Sequence, residues 1–159
     1  MFEFTQLLDH LSIGITILDP DLKIVSWNRW MTEHSFLPQD TVIGQPIYEL
    51  FPDLVHKEFT KKAREVFKMG YPAFFTNKVN QFIFPFFTCR SYLDTQLRSM
   101  QQSVILSPLK DADGVTRQIL VSVFDISDWV MNQELLLKSK KALEKLSQID
   151  ELTKVKKAG

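Results

Sequence analysis

The side chains that most often carry out covalent or metal chemistry are few in this sequence. Cys89 is the one cysteine, and the histidines are His10, His34 and His56. A thiol can act as a nucleophile or a redox centre, but no local motif pairs Cys89 with a histidine base. The histidines do not have the spacing of a metal site, so we expect no structural metal.

The sequence carries no motif that would indicate an enzyme. It contains neither a G-x-S-x-G nucleophile elbow nor a phosphate-binding P-loop. Glu49, Asp53 and Glu58 are acids close in the sequence, and they fit surface and capping roles better than a general acid–base pair. The stretch KKAREVFK at 61–68 is typical of the solvated face of a helix rather than of a nucleic-acid patch. We therefore expect no catalytic residues in this chain.

Composition and charge limit the class of protein. The 159 residues include 19 basic and 19 acidic side chains, a balance that excludes a bulk electrostatic attraction to nucleic acid or to an acidic membrane. The lone cysteine fits a reducing compartment. The N-terminus lacks the pattern of a signal peptide, and no apolar run reaches the roughly 20 residues that span a bilayer. We expect a cytoplasmic protein without nucleic-acid or membrane partners.

Apolar spacing predicts strands at both ends of the chain and helices between them. A short helix is expected near the N-terminus, and the spacing of Phe59, Ala63, Val66 and Phe67 predicts an amphipathic helix that Gly70 ends. The stretch FIFPFF at 82–87 is apolar, but Pro85 argues against a central strand. The pattern favours an α+β fold with one five-stranded antiparallel sheet and short helices on one face. The strands are predicted over 13–19, 23–28, 71–79, 99–109 and 115–127.

The chain from Trp129 onward is polar and rich in helix-forming residues. Leu136, Leu143 and Leu146 fall at heptad-like intervals, while Ser139 and Asp150 interrupt the apolar seam. Because such a helix is marginal by itself in water, it needs a partner. The simplest partner is a second copy of the chain, so we expect a homodimer that uses the N-terminal and C-terminal helices.

Three stretches resemble PAS domains, in the order in which that family has them. LSIGITILDPDLKIVSWNRWMTE resembles the opening hairpin, VIGQPIYELFPDL resembles the family's IGK…LFP stretch, and GVTRQILVSVFDISD resembles its last strand. The resemblance covers roughly residues 4–128. It implies a PAS fold with an N-terminal helix and a C-terminal signalling helix.

The resemblance implies where a ligand would bind. In a PAS fold the inner face of the sheet and the central helix enclose a space that can hold a small molecule. Apolar rings there favour an apolar or aromatic ligand, and the alternative is that the rings fill the space themselves. The rings that would point into this space are Phe59, Phe67, Phe74 or Phe75, and Phe82.

Cofactors of other PAS domains can be compared with these residues. Some members bind haem through a histidine of the central helix, where His56 is the candidate, although its charged neighbours favour a solvent-facing side chain. TCRSYLD, around Cys89, is similar to the NCRFLQ of flavin-binding members. The cysteine precedes the central helix in those proteins and follows it here, which argues against flavin. No cofactor is required by the sequence.

The C-terminal stretch LSQIDELTKV resembles the leader of GGDEF diguanylate cyclase domains, A-x-x-D-x-L-T-G-L. Asp150, Leu152 and Thr153 match that pattern, Lys154 stands in place of its glycine, and this sequence does not contain the GGDEF signature itself. The resemblance predicts four parts. They are an N-terminal helix at 1–12, a PAS domain at 13–128, a linker helix at 129–149 and a stub of a downstream GGDEF-like domain at 150–159.

The segment Asp125-Ile126-Ser127 joins the last predicted strand to the C-terminal helix. Asp and Ser have short side chains that cap free N–H groups at such a junction. By resemblance, the junction also passes a change in the domain core to the C-terminal helix. The sequence thus indicates a sensory module that acts on a downstream cyclase in cyclic-di-GMP signalling. The alternative is a ligand-free PAS module for dimerisation or protein interaction.

Overall fold

The computed structural model describes residues 3–54, 58–75, 83–88 and 98–158. The helices are α1 (Phe4–Asp9), α2 (Arg29–Ser35), α3 (Gln39–Val42), α4 (Ile47–Leu50), α5 (Glu58–Met69) and α6 (Ser127–Ala158), and a 3₁₀ helix spans Pro52–Leu54. The strands are β1 (Gly14–Leu18), β2 (Ile24–Trp27), β3 (Ala73–Phe75), β4 (Phe87–Thr88), β5 (Arg98–Ser99), β6 (Gln102–Lys110) and β7 (Thr116–Asp125).

Five strands form one antiparallel sheet in the order β2-β1-β7-β6-β3. The long strand β7 lies at the centre, between β1 and β6. The short strands β4 and β5 pair with each other in a separate two-stranded sheet. The predicted α+β fold with a five-stranded antiparallel sheet and accompanying helices is confirmed.

One face of the sheet forms the wall of the hydrophobic core. Alternate residues of the two longest strands, among them Val121 and Val123 of β7 and Leu106 of β6, are fully buried. The helix α5 covers this face with Phe59, Ala63 and Val66, which recur at the spacing that the sequence predicted. A strand buries every second side chain and a helix every third or fourth, so each element contributes one face to the core.

The buried side chain of Asn28 connects four parts of the domain. Its Oδ1 atom accepts hydrogen bonds from the Ile15 amide at 3.1 Å and from the Met31 amide at 3.2 Å, which caps α2. Its Nδ2 atom donates to the carbonyls of Leu8 at 3.0 Å and Ile13 at 2.9 Å. The amide group thereby ties the ends of α1 and β2 to the start of β1 and of α2.

Two hairpin turns have the same design. In each, an aspartate carboxylate, that of Asp19 or Asp111, accepts the amides two and four residues further on. The residue three positions on is left-handed in both turns, Leu22 at φ 61° and Gly114 at φ 77°. This conformation is uncommon for leucine, and the burial of the Leu22 side chain offsets its cost.

The Asp111 carboxyl has a lowered pKa. The largest cause is a hydrogen bond of 2.7 Å from Arg117 Nε to Asp111 Oδ2, and the amide of Val115 adds to it. Both donors stabilise the charged carboxylate. As the pH falls, the Asp111 carboxyl therefore stays charged and hydrogen-bonded to a lower pH than an ordinary aspartate does.

The chain divides into two compact units. The first ends at Ile126, and the second begins at Ser127. The second unit is α6, a helix of 32 residues. Its large apolar side chains are mostly exposed and lie on several sides of the helix. They are Trp129, Leu135, Leu136, Leu137, Leu143, Leu146, Ile149, Leu152 and Val155. The predicted linker at 129–149 and residues 150–158 of the predicted stub both lie on this helix, and their separation stays a prediction.

None of the helices in the described part of the chain has enough length and apolar character to cross a lipid bilayer.

Candidate ligand cavity and the strand–helix junction

The predicted cavity residues differ in where their rings lie. Phe59 and Phe75 are buried in the core, with ring centroids 5.9 Å apart in a stacked arrangement. Phe67 is partly buried against the core, and Phe74 is 57% exposed. Because neighbouring strand residues point to opposite faces, only one of the pair Phe74 and Phe75 can face the helices. Phe82 lies outside the described residues.

Two further phenylalanines, which the sequence analysis did not place in the cavity, occupy its centre. Phe84 and Phe86 are fully buried and stack on each other at 5.1 Å. Phe84 contacts Phe59 edge-on at 5.9 Å and Phe51 at 5.4 Å. Ring contacts of this kind join seven tryptophan and phenylalanine rings of the described residues into what we call the aromatic cluster, which consists of Trp27, Trp30, Phe51, Phe59, Phe75, Phe84 and Phe86.

A buried glutamine holds Phe84 in place. Gln102 Oε1 accepts the Phe84 amide at 3.1 Å, and Gln102 Nε2 donates to the Phe84 carbonyl at 2.8 Å. The Met100 amide donates to the Phe86 carbonyl at 2.9 Å. We call residues 83–88 the core strap, because they bring two rings into the core and are bound there by hydrogen bonds from the start of β6 and the residues just before it.

The amine of Lys62 covers one side of the aromatic cluster. Its Nζ atom lies 4.4 Å from the centroid of the Phe75 ring and donates to the Phe74 carbonyl at 3.2 Å. A cation over the face of a ring is attracted by the ring quadrupole. Lys62 therefore links α5 to β3 beside the aromatic cluster.

A cleft of about 320 Å³ opens beside the aromatic cluster. Its walls come from the α4–3₁₀ region on one side and from the core strap and β5 on the other. Most of its surface is apolar, and Asp53 and Ser99 supply polar groups. The lining residues are Leu50, Phe51, Pro52, Asp53, Ile83, Pro85, Phe86, Phe87 and Ser99.

The cleft can accept a small apolar or aromatic molecule. A volume of this size is at the lower end of the range for ligand sites, and an apolar lining with few polar groups is typical of them. The Asp53 carboxylate can accept a hydrogen bond from an N–H or O–H group of the ligand. Phe51 and Phe86 line the cleft and also belong to the aromatic cluster, so a bound molecule would touch the core directly.

The described residues include one histidine that packs against a tryptophan ring. His34 stacks on Trp30 at 3.9 Å, and its Nδ1 atom lies 2.8 Å from the Trp30 carbonyl. His56, the haem candidate, and Cys89 lie outside the described residues. Within residues 3–54, 58–75, 83–88 and 98–158, no three His, Cys, Asp or Glu side chains are grouped so that they could hold a metal ion.

The predicted signal-transfer residues lie where β7 ends and α6 begins. Asp125 is the last residue of β7, Ser127 is the first of α6, and Ile126 joins them. Asp125 Oδ2 accepts a hydrogen bond of 2.7 Å from the hydroxyl of Thr88, in the core strap. The Ile126 amide donates to the Gln101 carbonyl at 2.8 Å. The end of β7 is therefore bound both to the core strap and to the residue before β6, and the predicted role in signal transfer stays a prediction.

Comparisons with known proteins agree on the fold. A family model described as "PAS fold" matches residues 8–129. The chain is similar to the crystal structure of a sensory box sensor histidine kinase from Vibrio cholerae, at 22% sequence identity and a TM-score of 0.55, over 76% of this chain and 87% of that chain. No curated protein matches the sequence.

Two more solved structures are similar to the chain. One is the photoactive yellow protein domain of a sensor histidine kinase from Rhodospirillum centenum, at 17% identity and a TM-score of 0.54, over 77% of this chain and 93% of that chain. The other is the PAS domain of a protein from Colwellia psychrerythraea, at 14% identity and a TM-score of 0.53, with the same coverage of 77% and 93%. At these identities the similarity shows the fold alone.

The neighbouring residues Phe74 and Phe75 provide a matched test of which ring belongs to the core. Phe75→Ala removes a buried ring from the aromatic cluster and should lower the free energy of unfolding by about 3–5 kcal/mol. Phe74→Ala removes an exposed ring and should change it by less than about 0.5 kcal/mol. Urea unfolding followed by circular dichroism measures both values. Equal losses in the two variants would contradict the placement of the rings.

Proposed function

The chain belongs to the PAS fold family, and from this membership we propose that it is a sensory domain that controls an output domain through α6. Its signal is a small apolar or aromatic molecule that binds in the cleft beside the aromatic cluster. The domain is a regulatory part without catalytic residues of its own, and it works in the cytoplasm.

The direct succession of β7 and α6 is the observation that carries this proposal. β7 is the central strand of the sheet, and its buried residues line the core that the cleft adjoins. One residue, Ile126, separates this strand from the helix. A ligand that alters the packing at the core can act on the start of α6 only if it binds the two states with different affinities. A few kcal/mol of differential binding is enough for such a switch.

The aromatic cluster favours a second candidate function. Its rings are already in contact, so the predicted central space is occupied by the chain's own side chains. A core filled in this way needs no ligand for its stability. In that case the domain is a ligand-free module for dimerisation or protein interaction, and the cleft is a surface feature without a small-molecule role.

Titration with indole distinguishes the two functions. Indole is a neutral aromatic molecule with one N–H group, which matches the apolar walls of the cleft and the Asp53 carboxylate. We expect saturable shifts of the Phe86, Phe87 and Ser99 amide signals in ¹⁵N NMR spectra. Native mass spectrometry of the freshly purified protein would show whether a cellular molecule already occupies the site.

Two variants make the titration specific for the cleft. Ser99→Trp places a large ring in the cleft and should abolish the indole-dependent shifts. Glu33→Trp adds the same ring at an exposed position of α2, outside the cleft, and should leave them unchanged. No saturable shift in the parent protein, together with no co-purified molecule, would favour the ligand-free module.

The proposed homodimer uses the exposed apolar side chains of the terminal helices. On α1 and just after it, Phe4, Leu7 and Leu11 are exposed. On α6, Leu136 and Leu143 are seven residues apart and lie almost in line along the helix. A helix with such side chains is stabilised when a second helix covers them.

Light scattering coupled to size-exclusion chromatography tests the dimer. We expect a mass near twice the 18.5 kDa of one chain. Leu136→Glu combined with Leu143→Glu puts charge on the paired line and should give a monomer. Leu137→Glu combined with Leu152→Glu makes the same change off that line and should leave the dimer intact. A monomeric parent protein at high concentration would rule out this arrangement.

For the output domain we propose a diguanylate cyclase. The support is the resemblance of LSQIDELTKV to a GGDEF leader, in which Asp150, Leu152 and Thr153 match. These residues lie on α6, so the helix would lead directly into the cyclase. Two cyclase domains held by paired helices could then be brought together or apart by a shift in those helices.

The cyclase proposal is tested on the full open reading frame. We expect a GGDEF signature downstream of Gly159 and formation of cyclic-di-GMP from GTP by the purified full-length protein. Replacement of the downstream signature should abolish this activity, whereas the Glu33→Trp change in the PAS domain should not. A reading frame that encodes another output domain, or none, would refute the cyclase and leave the sensory role of the PAS domain open.

A further inference from the structure

We infer that the core strap is a latch, which couples the occupancy of the aromatic cluster to the residues that begin α6. At one end of the strap Phe84 and Phe86 lie inside the core. At the other end Thr88 is bound to Asp125. Release of the rings from the core would therefore loosen the last residues of β7, and loosening of those residues would release the rings.

At the inner end of the latch, Gln102 makes two hydrogen bonds to Phe84, and we expect them to form or break together. The glutamine amide binds both the N–H and the carbonyl of Phe84, and all of these groups are buried. Buried polar groups that lose their partners are costly, so half-released positions of the strap are disfavoured. The strap thus has two favoured arrangements, docked and released, as a switch element requires.

Two adjacent residues, one at the start of β6 and one just before it, bind the inner end of the latch and the residue that precedes α6. Gln102 binds Phe84 through its side chain, and the adjacent Gln101 binds the Ile126 amide through its carbonyl. Thr88 adds a second link from the strap to Asp125. Residues 101 and 102 consequently contact both the occupant of the core and the segment that leads into α6.

The latch also indicates how an aromatic ligand could act if it entered the aromatic cluster instead of the surface cleft. A ring that replaces Phe84 in the aromatic cluster would have to displace the strap and break the Thr88–Asp125 hydrogen bond. The inference deepens the proposed sensory role, because it names the part of the cavity that moves. The test below uses neither a ligand nor an output domain, so its failure would leave the sensory proposal standing.

Amide hydrogen exchange of the whole chain, measured by NMR, tests the coupling in both directions. Thr88→Val removes the outer link and should accelerate exchange of the Phe84 amide at the inner end. Phe84→Leu withdraws the ring from the core and should accelerate exchange of the Ile126 amide at the outer end. Each rate is compared with the amides of central β7 in the same variant, which removes the effect of global stability. We expect about fivefold acceleration, equivalent to the loss of about 1 kcal/mol.

Two control variants match these substitutions. Thr16→Val removes a buried hydroxyl that donates to the Ser26 carbonyl at 2.9 Å, in the β1–β2 hairpin, and should not change the Phe84 amide. Phe67→Leu makes the same change at a partly buried ring of α5 that lies outside the aromatic cluster, and it should not change the Ile126 amide.

The exchange rates of the Phe84 and Ile126 amides support or overturn the latch. Acceleration at the far end of the strap in both test variants, with neither control showing it, supports the latch, since coupling between two sites is reciprocal. Acceleration that stays at the mutated end would overturn it. If Phe84→Leu does not fold, the Thr88→Val and Thr16→Val pair decides alone, because an unchanged Phe84 amide in Thr88→Val is sufficient to reject the coupling.

Discussion

Two buried side-chain amides, Asn28 and Gln102, hold together parts of this domain that the sheet alone would not connect. Each is almost fully buried and bonds to backbone groups of distant segments. An amide in the core must satisfy its donors and acceptors, since an unpaired buried polar group costs about 1–3 kcal/mol. This requirement turns each amide into a specific connection. Asn28 orders the entry to the sheet, and Gln102 orders the core strap.

The core strap changes how the PAS cavity has to be understood in this protein. The space between the sheet and α5 is filled by rings, of which Phe84 and Phe86 come from a segment outside the five-stranded sheet. Protein interiors are packed as densely as organic crystals, so a ring in this space excludes a ligand of the same size. In this structure a short segment, the core strap, supplies two of the rings that occupy the space.

The C-terminal helix α6, unlike the sheet and the aromatic cluster, is not stabilised by a buried core of its own. Its apolar side chains are largely exposed in the single chain, and they are distributed around the helix rather than along one narrow line. Such a helix gains little from its own hydrogen bonds in water and depends on what covers its apolar surface. The two residues just before this helix are hydrogen-bonded within the domain, Ile126 to Gln101 and Asp125 to Thr88.

The sequence by itself determined the fold and part of the buried core. Alternating apolar residues predicted the strands, the spacing of Phe59, Ala63 and Val66 predicted the inward face of α5, and the short motifs predicted the family. Periodicity also restricted the choice at Phe74 and Phe75 to one inward ring, without deciding which. These features depend on residues close to each other in the chain, so local patterns reveal them.

Only the tertiary structure decided what fills the core and what holds the end of β7. Pro85 argued against a central strand at 82–87, and nothing in the local pattern showed that Phe84 and Phe86 are buried. Their position depends on Gln102, which is 18 residues from Phe84, and the link of Thr88 to Asp125 spans 37 residues. Hydrogen bonds over such separations leave no periodic signal in the sequence, because they form only after the sheet has brought the distant segments together.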